Sequence, residues 1–317
     1  MTLRATAPQS GLTPWVLTAL IVLYLVWGST YLAIRIAIET IPPLLMAGVR
    51  MLIAGGILAT YAWLRGAPMP TRNEWRSVAI VGTFLLLGGN GLVVWAAQKL
   101  PSGLLALLVG ATPLSMVLVG WLAGADGPPR PLTMVALVMG MAGLGWLMMP
   151  RGTQELHVDL LSALAALGAT LGWAIGSHQA RRAQLPRSKS LTIGLEMLVG
   201  GVELCLAGLL LGELARLRLG EMSWQSLAAL AYLIVFGSLI GFSSYIYLLE
   251  HTRPALATSY AFVNPLVAVA LGWAIRNEPI GLRVLGGGAL IVLAVVLITL
   301  DRARTQELAP EKEIEVT

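Results

Sequence analysis

WGSTYLAIRIAIETIPPLLMAGVR, residues 27–50, decides how the chain must be read. The runs around it are apolar enough to cross a membrane. Yet the stretch holds a tryptophan, a Gly-Ser-Thr cluster and two arginines, Arg35 and Arg50. Lipid offers such groups no partner, because no water is present to satisfy them. They must therefore meet another helix or a polar cavity, and Gly28, Ser29 and Thr30 are expected to face protein.

Composition points the same way. Of 317 residues, 57% are hydrophobic before 35 glycines are counted, and 12% are charged. Soluble domains carry roughly twice that charge, at about 25%. With a mean hydropathy of +0.79, the chain reads as an integral membrane protein. Its net charge of +5 sits at the ends of apolar segments, where it encodes orientation rather than a nucleic-acid surface. The single cysteine, Cys205, excludes a disulfide framework, and His157, His178 and His251 are too dispersed for a metal motif.

Ten segments approach the ~20 apolar residues that a spanning helix needs. They are 14–35, 43–64, 77–97, 101–122, 131–149, 158–180, 190–211, 225–248, 254–275 and 281–300. The first is longer than the roughly 7–15-residue core of a secretory signal and is expected as a retained span. Trp15 and Trp224 fit interfacial anchors. Connections are short, and the polar tail 301–317 is expected to be disordered. With the N-terminus inside, thirteen Lys and Arg fall on the inner side and seven on the outer, so both termini are expected in the cytoplasm.

The two halves resemble each other. A shift of 146 residues lays Trp27 on Trp173, Arg35 on Arg181, Met51-Leu52 on Met197-Leu198 and Gly55 on Gly201. A shift of 152 lays TPLSMVLVGW (112–121) on NPLVAVALGW (264–273). Five spans per half is an odd number, so the second half must be upside down. The expected fold is all-α integral membrane, with ten transmembrane helices as two inverted five-helix repeats, 1–152 and 153–300. Such repeats are the mark of secondary transporters that alternate access around a site between the halves.

WGSTYLAIR, PPLLMAGVR, GGNGLV and PALATSYAFVNPLVAV resemble the drug/metabolite transporter superfamily, specifically its EamA family, and the likeness runs from about Trp15 to Leu300. The resemblance implies a central cavity open to one side at a time in a bacterial inner-membrane exporter. It also implies amino acids and related metabolites as cargo, aromatic or neutral ones above all. Family members often carry an acid after the fourth and ninth spans. Here Glu278 follows the ninth, whereas ADGPPR follows the fourth, so a symmetric role for that acid does not follow.

Pro113 and Pro265 fall near the middle of spans four and nine at matched positions. A mid-helix proline frees a carbonyl and kinks the helix, and interrupted helices at corresponding places point to a transporter's site. A kink that only shapes the bundle is the alternative. Thr112 and Asn264 beside them are candidate hydrogen-bonding groups. Trp27, Tyr31, Asn90, Trp173, His178, Tyr245 and Tyr260 complete a substrate-binding set suited to an apolar cavity with a few polar points. Packing between helices is the plainer role for each of them singly. Gly168, Gly172 and Gly176, like Gly120 with Gly124 and Gly237 with Gly241, have the fourth-residue spacing of close helix contacts.

Arg50, Glu196 and Glu203 lie inside spans, where an ionisable residue suggests function. Arg50 and Glu196 match by the 146 shift, but inversion separates them by roughly 10 Å in depth and argues against a pair. Glu203 is the candidate for proton coupling. The sequence calls for no cofactor and no nucleic acid; its partners are membrane lipid and a small-molecule substrate, and the chain is read as a monomer. Multidrug efflux would use the same cavity. An intramembrane enzyme would need clustered carboxylates, histidines or a Ser/Lys pair, and the sequence offers none at matching depth.

Overall fold

The computed structural model describes residues 13–124, 128–148, 158–252, 256 and 259–308. Among these, ten long helices follow in order: α1 Pro14–Ala37, α2 Pro43–Leu64, α3 Arg72–Ala96, α4 Ser102–Leu122, α5 Pro131–Met148, α6 Leu160–Ala180, α7 Lys189–Leu210, α8 Trp224–Leu248, α9 Tyr260–Arg276 and α10 Leu282–Leu308. Eight have the length and hydropathy of a membrane span, and α5 and α9 are shorter apolar helices. α3 starts at Arg72, before the expected 77, because Thr71 and Glu74 form a reciprocal capping box. α10 runs through Leu308 into the expected tail, and 309–317 lie outside the described residues, as do Arg4, Asp126 and His157.

α2 and α7 cross closely. A Cβ on Gly48 would lie 2.9 Å from the Gly201 carbonyl, and one on Gly55 would lie 2.7 Å from the Gly194 carbonyl. Rising numbers on α2 meet falling numbers on α7, so the helices are antiparallel. The 146-residue shift carries Gly48 to Gly194 and Gly55 to Gly201, which turns one contact into the other. A two-fold axis that exchanges antiparallel helices lies across them, in the membrane plane. The repeats are therefore inverted.

Two glutamates supply helix caps across the halves. α2 and α4 follow Pro42 and Pro101, and neither helix has a side-chain cap of its own. Glu213, buried past the end of α7, accepts from Leu44 N at 3.2 Å and Leu45 N at 2.9 Å. Glu278, after α9, accepts from Ser102 N at 2.8 Å and Gly103 N at 3.0 Å. A carboxylate suits the orphan amides and positive dipole end of a helix start. The family acid after the ninth span thus has a concrete role here.

The first part of α4, Ser102–Gly110, is buried on nearly every side, as expected of a helix hydrophobic all round. Outward faces carry stripes four residues apart, such as Leu17, Ile21 and Leu25 on α1 and Val49, Ile53 and Ile57 on α2, all exposed. In lipid this is the proper surface. The α6 glycines do pack closely: Gly172 against Gly88 and Gly89, and Gly176 against Leu85. Gly124 does not belong to such a stripe. It stands just past the end of α4 with φ +62°, the left-handed stop that glycine adopts freely.

The matched prolines behave differently. α4 breaks at Ala111 and restarts at Thr112, with Pro113 in the first turn, where a missing N–H costs little. Pro265 lies within a continuous α9, as its sixth residue rather than at its middle. Gly110 leaves room for the Pro265 ring, since a Cβ there would lie 2.7 Å from its Cγ.

Candidate functional site

Trp27 anchors the site. Its neighbours follow from helical spacing: Trp27 and Tyr31 are four apart on α1, Phe242 and Tyr245 three apart on α8, and Tyr260 and Asn264 four apart on α9. Each pair shares a face. The rings of Phe242, Tyr245 and Tyr260 stand 5.3, 5.5 and 4.8 Å from that of Trp27, centroid to centroid. Tyr245 and Tyr260 meet edge to face at 5.8 Å. Each such contact contributes about 0.5–1.5 kcal/mol beyond area burial. Tyr31 lies one turn along α1 from Trp27.

The Trp27 indole donates to the Gly237 carbonyl at 3.1 Å. Gly28 brings α1 onto α9, since a Cβ there would lie 2.6 Å from Val267 Cβ and 3.3 Å from the Asn264 carbonyl. Ser29 Oγ donates to Val26 O at 2.8 Å and meets the Tyr232 hydroxyl at 2.6 Å. Thr30 Oγ1 donates to Trp27 O at 2.6 Å, and Arg35 caps the end of α3 through Ala97 O at 2.8 Å. The polar residues of 27–35 thus meet protein.

The box is polar where a ligand would need it to be. Among the described residues, the hydroxyls of Tyr31, Tyr245 and Tyr260 have no hydrogen-bond partner. Asn264 Oδ1 is buried and unpartnered. Leaving such an acceptor unsatisfied costs about 1–3 kcal/mol, a penalty that a bound donor removes.

A second feature escaped the sequence. α3 widens into π-helical turns over Thr83–Gly91, and α8 does so over Leu233–Ile240. Wide turns of this kind recur at functional sites. They stand at corresponding places in the two halves, and the box takes Trp27 and Tyr31 from one half and its other rings from the second. Phe242 was also missed. Its signal was the three-residue spacing to Tyr245.

The remaining candidates do not join the box. Trp173 packs on Gly89 of α3, where a Cβ would lie 2.5 Å from Trp173 Cδ1. Asn90 Oδ1, next to it in sequence, is buried without a partner. Thr112 donates to the Val109 carbonyl at 2.6 Å, so its one hydrogen is already engaged. His178 is buried in the last turn of α6, roughly 7.5 Å along the axis from Trp173. Glu203 Oε1 accepts from Thr83 Oγ1 at 2.6 Å, and Oε2 is buried and unpartnered. Arg50 does not pair with Glu196: it donates from Nε to Ser238 Oγ at 2.9 Å. A small cleft lined by Pro101, Leu104, Val269 and Glu278 is a separate place at the start of α4, where the carboxylate already serves as a cap.

Known proteins match this arrangement. Residues 13–149 and 160–300 each match the EamA-like transporter family. The chain is 40% identical over 286 residues to the inner membrane transporter YedA of Escherichia coli K12, covering 90% of both. It is 24% identical to the transporter YvbV of Bacillus subtilis, across 92% of this chain and 94% of that one. A WAT1-related chloroplastic protein of Arabidopsis thaliana is 26% identical over 89% of this chain and 68% of its own. A crystallised protein superposes with a TM-score of 0.62 at 20% identity, over 93% of this chain and all of that one, and shows the fold alone.

Proposed function

The chain belongs to the EamA-like transporter family, and on that premise we propose that it exports amino acids with aromatic or other apolar side chains across the inner membrane. The observation that carries the proposal is the Trp27 box. Its rings offer broad apolar contact and cation–π attraction to an ammonium group. Asn264 Oδ1 offers a buried acceptor for the same ammonium. Rings and amide come from both halves of the fold, so rocking of one half against the other would open the box to alternate sides. Both termini are cytoplasmic in this scheme, and Glu203 takes the coupling proton through its unpartnered oxygen.

The experiment is counterflow in proteoliposomes loaded with phenylalanine, tryptophan or leucine, with size-exclusion behaviour recorded on the same preparation. Wild type should exchange these amino acids. Asn264→Leu should remain monodisperse and lose most of the exchange. Transport of bulky hydrophobic drugs with no amino-acid exchange would overturn the cargo assignment in favour of multidrug efflux. Glu203→Gln should abolish the response to an imposed pH gradient while counterflow persists. An unchanged gradient response would remove Glu203 from coupling.

A further inference from the structure

Arg50 is the buried charge that the amino-acid box has not used. It is 4% exposed, seven residues into α2. Its Nε donates to Ser238 Oγ in the π-helical part of α8. Its Nη2 would stand 3.2 Å from a Cβ on Gly237, and the Gly237 carbonyl is the acceptor of the Trp27 indole. Arg50 and Trp27 therefore flank the same residue of α8, and the absent Cβ of Gly237 leaves the guanidinium its room.

A guanidinium carries five N–H donors and no acceptor. One is accounted for here, and no other described residue accepts from the rest. Among the described residues no carboxylate lies within ion-pair distance of Arg50. Its match in the second half is Glu196, whose backbone abuts Gly82 of α3, so the repeat supplies no counter-charge. A buried cation without an anion is costly, and the planar fork of arginine fits a carboxylate bidentately.

We infer that Arg50 recognises a carboxylate on the transported molecule, so the transporter selects amino acids over the matching amines and amides. The inference rests on the Trp27 box being the substrate site. It names the second of two poles, with the ammonium held among the rings and the carboxylate at Arg50.

The test compares phenylalanine, phenylalaninamide and phenethylamine as competitors of labelled phenylalanine counterflow. On wild type, phenylalanine should compete about ten- to a hundredfold better than the other two, the worth of a charge-assisted hydrogen bond. Arg50→Gln should bring the three together, and Arg50→Lys should keep part of the gap. A full gap in Arg50→Gln would make Arg50 a strut between α2 and α8 and leave the box standing. Should Arg50→Gln fail to fold, Gly237→Ala crowds Nη2 and should weaken phenylalanine more than phenethylamine; equal weakening of both would overturn the inference. Failure of wild type to recognise any of the three would remove the box itself, and the inference with it.

Discussion

Trp27 and Trp173 stand at two-fold related positions, each with the Nε1–Cδ1 edge of its indole against a glycine of the opposite half, Gly241 and Gly89. Beyond that glycine the two pockets part. The 152-residue shift sets Phe242 against Asn90, Tyr245 against Val93, Tyr260 against Leu108 and Asn264 against Thr112. The Trp27 indole is held by Gly237 O, whereas among the described residues the Trp173 indole has no hydrogen-bond partner. Small residues that set backbone distance recur in both halves, and the residues that would touch cargo do not. Duplication preserved the frame, and among the described residues ring contacts surround Trp27 and not Trp173.

The frame should be the most sensitive part. Gly55→Leu and its two-fold mate Gly201→Leu each drive a side chain into the facing backbone, at 2.7 Å and 2.9 Å. Overpacking that cannot relax costs more than the usual ~1–3 kcal/mol, so neither variant should yield monodisperse protein. Tolerance of one and loss of the other would break the two-fold description.

The imported caps come next. Glu213→Ala and Glu278→Ala should each lower stability by about 1–3 kcal/mol, since each strands two helix amides. Thermal unfolding in detergent reads both. An effect from only one would make the other contact incidental.

Phenylalanine substitutions sharpen the contrast between the pockets. Trp27→Phe removes the bond to Gly237 O and should cost about 1 kcal/mol more than Trp173→Phe, which has no such bond to lose. Equal shifts in unfolding temperature would show that the Trp27 bond contributes nothing.

The smallest effect lies outside the membrane. Asp159, at the start of α6, is held down to about 2 by the Ser162 hydroxyl, by Lys99 and by the Ser162 amide. A depressed carboxyl stabilises above its ordinary value near 3.8 and loses that contribution as pH falls through about 2. Asp159→Asn should therefore unfold slightly earlier at neutral pH, and its gap from wild type should close below pH 2. A gap that persists there would point to another cause.

The spans and the inversion were legible because periodicity and internal repetition are local properties of the chain. The caps were not. Glu213 and Glu278 act on amides more than 160 residues away, and nothing near either residue announces it. The π-helical turns depend on a shift in hydrogen-bond register for which GGNG and FGSL carry no code beyond their glycines. Matching the repeats by their tryptophans also hid the asymmetry, because Trp27 and Trp173 align equally well whatever surrounds them. Asn90, Thr112, Trp173 and His178 were grouped with the box on chemical type, and the fold sets them apart from it.

Cargo is expected to occupy the Trp27 pocket and not its two-fold counterpart. Phe242 and Asn90 are matched positions in the two pockets, so they permit a direct comparison. With the free cysteine removed by Cys205→Ala, Phe242→Cys and Asn90→Cys are labelled with a small maleimide, with and without saturating phenylalanine. Phenylalanine should slow labelling at position 242 and leave position 90 unchanged. Protection at position 90 alone, or equally at both, would contradict a single aromatic site.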